Sequence, residues 1–165
     1  MIKKNTKGFS LIEMIVYVSI LSVVFVIVVN TLLIVSRSYS SIKVSLDINN
    51  SATVSMERMI REIRKARSID LIQSTLNSHP GRLVLNTIDE EGLPLVVDFY
   101  LGNDTLKLKE GGVFSGDLTD GVNVTNLVFR RISNGTSEAI KIEMELSNED
   151  KNKVFYNTIV LTGSY

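Results

Sequence analysis

The sequence predicts an α+β protein, with a long N-terminal helix followed by a C-terminal antiparallel β-sheet head. Three observations predict it. An apolar run of membrane length lies near the N-terminus, no Gly or Pro interrupts Ser36 to Asp70, and short alternating runs separated by turn residues fill the rest. A helix takes its face from a period near 3.6 and a strand from a period of two, so the change of pattern marks the change of element.

Met1 to Lys7 is a short basic leader whose charges are Lys3, Lys4 and Lys7. From Phe9 to Ser36 the chain is uncharged except at Glu13. As a helix, the uncharged run from Met14 to Ser36 spans roughly 35 Å at about 1.5 Å per residue, against a bilayer core of about 30 Å. It therefore reads as a transmembrane helix in contact with membrane lipid. The lysine-rich leader places the N-terminus in the cytoplasm and the remainder outside. A removable secretory signal fits poorly, because its apolar region is about 7 to 15 residues and a small-residue cleavage site follows it. Here the small residue, Gly8, precedes the run.

The helix is expected to continue to about Asp70. Met56, Met59, Ile60 and Ile63 share one face at i, i+3, i+4 and i+7 spacing. Ile42, Leu46, Ala52 and Ala66 extend that stripe less regularly, and Asn49-Asn50-Ser51 is the weakest point, where a bend is expected. The stripe from about Ala52 to Ala66 is what a head would bury. Arg58, Arg61, Arg64, Lys65 and Arg67 occupy the other face, with Glu57 and Glu62 between them. Clustered cations can neutralise phosphates, so this is a possible contact for DNA or another partner. A solvated face with pairs such as Glu57–Arg61, and cations near a helix C-terminus, accounts for the same residues. No aromatic residue interleaves to stack bases, so nucleic acid is not the expected partner.

Ser78-His79-Pro80-Gly81 marks a turn into strands. Arg82 to Ile88 and Leu95 to Leu101 are apolar runs, and Gly102-Asn103-Asp104 signals a hairpin into the alternating Thr105 to Lys109. Gly111-Gly112 and Ser115-Gly116-Asp117 bound a connection read as loop. Val124 to Ile132, a turn at Asn134-Gly135, Ile140 to Leu146 with the clearest period of two, and Val154 to Leu161 complete about six strands. In hairpin order these give an antiparallel sheet, or two small ones, with one face on the helix.

Charge and composition narrow the function. Lys plus Arg equals Asp plus Glu at 18 each, and loss of the leader's three lysines would leave an acidic excess, so bulk charge gives no case for nucleic acid. The absence of Cys rules out disulfides, thiolate zinc sites and thiol catalysis. His79 is the only histidine and sits in a turn, read as a loop residue rather than a base. No second histidine completes a catalytic triad, and Gly111-Gly112 lacks the frame of a phosphate loop. Asp117, Asp120 and Asn123 are weak candidates for calcium, since hard cations take clustered oxygens; turn formation explains them more economically. Asn123-Val124-Thr125 and Asn134-Gly135-Thr136 match a glycosylation sequon, a signal of little weight here. No cofactor site and no enzyme is expected.

Lys7-Gly8-Phe9-Ser10-Leu11-Ile12-Glu13, followed by the apolar helix, resembles the processing site of type IV pilins and type II secretion pseudopilins. The resemblance implies cleavage after Gly8 by a membrane-bound prepilin peptidase and N-methylation of the new terminus, Phe9. It implies that the helix is kept, first as an anchor and later as a filament core, with other pilin subunits and an assembly platform as partners. It implies for Glu13 a pairing with the Phe9 amine of a neighbouring subunit. The Arg-rich helix end, Val97-Asp98-Phe99-Tyr100 and Leu118 to Phe129 are similar to J-type minor pseudopilins and related minor pilins. The domains expected are a cleaved leader, 1–8; a transmembrane helix, 9–36; an amphipathic continuation, 37–70; and a β-rich head, 71–165. A pilus-tip binding module and a plain signal-anchored protein are the rival readings.

Overall fold

One helix, α1 (Leu11–Lys65), precedes eight strands. They are β1 (Ser68–Ile69), β2 (Leu83–Ile88), β3 (Pro94–Gly102), β4 (Thr105–Glu110), β5 (Val113–Asp117), β6 (Asn123–Ser133), β7 (Glu138–Asn148) and β8 (Lys151–Val160). The structure is a computed structural model that describes residue 8, residues 10–135 and residues 137–162. The chain divides into two compact units, Met1–Ile42 and Lys43–Tyr165.

In the first unit the described chain is the apolar part of α1. Its side chains are exposed from Leu11 to Ile42, and the helix is long and apolar enough to cross a membrane. No described residue covers these side chains, so an apolar medium or another helix is what their surface fits.

The second unit carries its own core. Two antiparallel sheets, ordered β1-β2-β3-β4-β5 and β6-β7-β8, enclose one apolar cluster with α1. Helix residues Val44, Ile48, Ala52, Met56, Met59 and Ile63 meet Leu83, Leu85, Val97, Phe99 and Leu106 of the first sheet and Leu127, Phe129, Ile140, Ile142 and Met144 of the second. β7 shows the sequence pattern directly, with Ile140, Ile142, Met144 and Leu146 buried and the residues between them only half-buried. It is the central strand of its sheet, so one face must be apolar along its whole length.

Several expectations change. The buried stripe begins at Val44 and Ile48, whereas Ile42 and Leu46 are exposed. Helical structure through Asn49, Asn50 and Ser51 is unbroken, in keeping with the single continuous helix expected. The helix stops at Lys65, short of Asp70, because its last carbonyls find partners in the sheets. Thr162 Oγ1 donates to the Arg64 carbonyl at 2.8 Å and Thr87 Oγ1 to that of Lys65 at 3.3 Å, while the Arg67 amide turns to the Asn86 carbonyl at 2.8 Å. Gly111-Gly112 is a tight turn rather than the start of a loop, with both residues at positive φ, and β5 follows it.

His79 is also more than a loop residue. Its Nδ1 accepts the Leu127 amide at 3.0 Å, while the Asn77 and Gly81 amides donate to the Phe129 and Leu127 carbonyls at 2.8 and 2.9 Å. Residues 77–81 therefore cover the edge of β6 that β7 leaves unpaired. A Cβ on Gly81 would lie 2.8 Å from the Leu127 carbonyl oxygen, so this approach requires glycine.

Met59→Ala and Ile63→Ala, both at fully buried positions, are expected to cost about 2–5 kcal/mol each. Ile60→Ala, on the half-exposed flank, should cost clearly less. Denaturant unfolding of the detergent-solubilised chain measures the order; equal effects at all three positions would contradict the packing described.

Candidate functional site

The start of α1 is built by its own sequence. The Met14 amide donates to the Ser10 carbonyl at 3.2 Å, which makes Ser10 the residue that opens the helix and puts Glu13 in the first turn. Ser10-x-x-Glu13 has the spacing of a capping box, in which the two side chains serve amide groups that have no partner in the helix. An acidic group is also favoured there by the helix dipole. This start signal accompanies the cleavage motif and is legible in the same seven residues. One turn on, the Tyr17 hydroxyl lies 3.4 Å from Glu13 Oε1. Gly8 is exposed, with open space around its missing side chain. Phe9, the expected new terminus and methylation site, and the leader residues 1–7 lie outside the described residues.

The basic segment does not act as one surface. Arg58 is half-buried and forms ion pairs with Glu62 and with Glu110 of β4. Its Nε lies 3.3 Å from Glu62 Oε1 but without the alignment of a hydrogen bond, so that contact is purely electrostatic. Arg61, Arg64, Lys65 and Arg67 are exposed. Arg61 and Lys65 line a shallow groove whose opposite wall is Asp89, Glu90 and Glu110. That mixture of signs differs from the uniform positive track that a phosphate backbone requires. The expected Glu57–Arg61 pairing is replaced by Arg58–Glu62 because the second pair faces the sheet.

The calcium candidates do not converge on a carboxylate cluster. Asp117 Oδ1 lies 3.0 Å from Lys107 Nζ, and Asp120 contributes its main-chain oxygen to Ser51 Oγ at 3.4 Å. Asn123 opens β6. Among the described residues no group of three or more His, Cys, Asp or Glu could hold a metal ion.

Three polar features of the head are not read from the sequence, two of them because strand pairing brings Arg82 to Asp98 and Arg130 to Glu143. Arg82 Nε and Nη2 donate to the two carboxylate oxygens of buried Asp98 at 3.0 and 2.8 Å, and Asp98 holds the guanidinium above its ordinary pKa. On the outer face of the second sheet, hydrogen bonds from Arg130 and then Lys141 hold the Glu143 carboxyl below the usual range. Hydrogen bonds from the Gln73 and Ile72 amides do the same for Asp70.

These elements define a helix-first α+β protein with a membrane-length apolar N-terminal helix and an acid in its first turn. Residues 3–29 match the family model described as the prokaryotic N-terminal methylation motif. The match supports placing the chain in the type IV pilin and pseudopilin family. It ends within the apolar helix and does not reach the head. No curated protein matches the chain, and no solved structure matches it.

Arg58→Ala leaves Glu62, which is nearly buried, without its cation, and is expected to cost about 1.5–3 kcal/mol. Arg61→Ala should stay within about 0.5 kcal/mol, as an exposed substitution does. Thermal unfolding of both variants checks the contrast. For pH, the lowered folded-state pKa of Glu143 gives a stabilisation that is complete above the ordinary glutamate pKa of about 4.3. It is lost as pH falls from there through the lowered value. Glu143→Gln should therefore shallow the acid limb of stability between pH 6 and about 3, and an unchanged limb would show that Glu143 contributes nothing to it.

Proposed function

We propose that the chain is the precursor of a minor pilin or pseudopilin, a structural subunit rather than an enzyme. A prepilin peptidase would cut it after Gly8 on the cytoplasmic side and methylate Phe9. The single span would hold it in the cytoplasmic membrane with the head outside until an assembly platform lifts it into a filament of type IV pilus or type II secretion kind. The J-type assignment belongs to this proposal and rests on resemblance in the head alone.

The observation that carries the reading is register. Gly8 stands directly before a helix with no formal charge from Met14 to Ser36, and Glu13 falls in that helix's first turn. On insertion scales an ionised carboxylate costs about 2.5–3.5 kcal/mol at the centre of a span and less toward its end, so Glu13 in the first turn carries part of that cost. Cleavage would create a cationic amine on Phe9, and pairing it with Glu13 of a neighbouring subunit would offset part of the desolvation of both. Apolar packing of helices is poorly directional, whereas such a pair fixes the axial stagger.

Mass spectrometry of the chain from cells with an active prepilin peptidase should show an N-terminus at methylated Phe9. An intact Met1 terminus there would instead leave a plain signal-anchored protein. Glu13→Ala should preserve cleavage and membrane insertion while lowering incorporation into filaments by about tenfold or more; normal incorporation would remove the pairing role.

A further inference from the structure

From Phe9 to Ser36 the chain carries no Lys, Arg or His, so the donors that this part of α1 can itself offer to Glu13 are neutral. Ser19 Oγ donates to the Ile15 carbonyl, Ser22 Oγ to that of Val18 and Thr31 Oγ1 to that of Ile27, each at 2.8 Å. Tyr17 differs. Its hydroxyl stands at the far end of a rigid ring, beyond reach of the carbonyl one turn back, and lies 3.4 Å from Glu13 Oε1. Residues at i and i+4 share a helix face, so the contact follows from the spacing. A carboxylate has about four lone-pair sites. Bringing opposite charges together out of water offsets their desolvation only where further hydrogen bonds fill the sites left over. A single amine leaves some of them empty.

We propose that Tyr17 is a positioning residue for Glu13, whose hydroxyl holds Oε1 and leaves Oε2 for the Phe9 amine of the neighbouring subunit. The inference rests on the Glu13 pairing of the proposed function and adds a second residue to it. The hydroxyl supplies one of the further hydrogen bonds that the ion pair needs. It also draws the carboxylate toward one side of its turn, so the amine meets the negative charge at one level and the stagger between helices is better defined. Tyr17 itself makes no contact with the amine and acts through Glu13. At 3.4 Å the hydrogen bond is longer than the usual O–H to O distance of about 2.5–3.0 Å, so its expected effect is smaller than that of the ion pair.

Two substitutions in the full-length chain separate the donor from the ring. Tyr17→Phe keeps the ring and removes the hydroxyl, whereas Tyr17→Gln removes the ring and keeps a donor in its amide. Incorporation is read as the share of the inserted, cleaved chain recovered in filaments, so changes in insertion or processing do not enter. Tyr17→Phe should lower that share by about threefold, and Tyr17→Gln should hold it near the wild-type value. The reverse order, or an equal loss in both, would make position 17 a packing site and overturn the proposal. Full incorporation of Tyr17→Phe would overturn it as well. Glu13→Ala is the control that separates this inference from the reading beneath it. Normal incorporation of Glu13→Ala removes the pairing and the role of Tyr17 together; loss with Glu13→Ala but none with Tyr17→Phe removes the role of Tyr17 alone.

Discussion

The cost of a carboxylate in an otherwise uncharged helix of membrane length is the constraint on which the functional reading depends. Glu13 stands at the one place in α1 where a negative charge has a local rationale, the first turn, where amide groups and the helix dipole favour it. That favourable position reduces the penalty, the helix dipole contributing about 0.3–1 kcal/mol against an insertion cost that rises to about 2.5–3.5 kcal/mol at the centre of a span. The remainder calls for a cation, and the motif matched at residues 3–29 sets Gly8 where processing would supply one.

The head meets a different constraint. It has no disulfide to rely on, and its core is assembled from α1 and both sheets together. Each sheet buries one face on the same cluster, so residues of α1 from Val44 to Ile63 are shared between two sheets that make few contacts with each other. The helix thus joins the apolar faces of the two sheets, while residues 77–81 and the Val124 amide join them at the edge of β6. The polar contacts follow the same plan: Arg58 reaches β4, the Lys153 ammonium reaches Asn49 Oδ1 at 3.1 Å, and Thr162 closes the last turn.

Much of this was legible in the sequence, and the exceptions have a common physical origin. The alternation of β7 and the uncharged run of α1 are local signals, and they locate their elements well. The end of α1 is not local. No Gly or Pro marks it, because Thr87 and Thr162, far along the chain, supply the capping groups. The phase of the buried stripe is likewise set from outside. Ile42 and Leu46 are as apolar as Val44 and Ile48, and only the position of the sheets decides which pair is covered. β5 is hidden because Gly111-Gly112 and Gly116 resemble a loop, although paired glycines at positive φ make the tight turn that returns the chain onto β4. At the candidate site, the Ser10-Glu13 spacing was available to sequence reading, whereas the Arg58–Glu110 pair, which removes Arg58 from the supposed basic face, was not.

The polar groups of the apolar helix follow from the same principle as the caps of the head. A hydroxyl one turn after a carbonyl can satisfy itself, and Ser19, Ser22 and Thr31 do so. A carboxylate can do so only in part: at the helix start the amides, the dipole and the Tyr17 hydroxyl 3.4 Å away favour Glu13, but none of them carries a full positive charge. Glu13 therefore differs in kind from the hydroxyls that follow it. Under the proposed function, the rest of its demand is met by the cationic amine of another subunit.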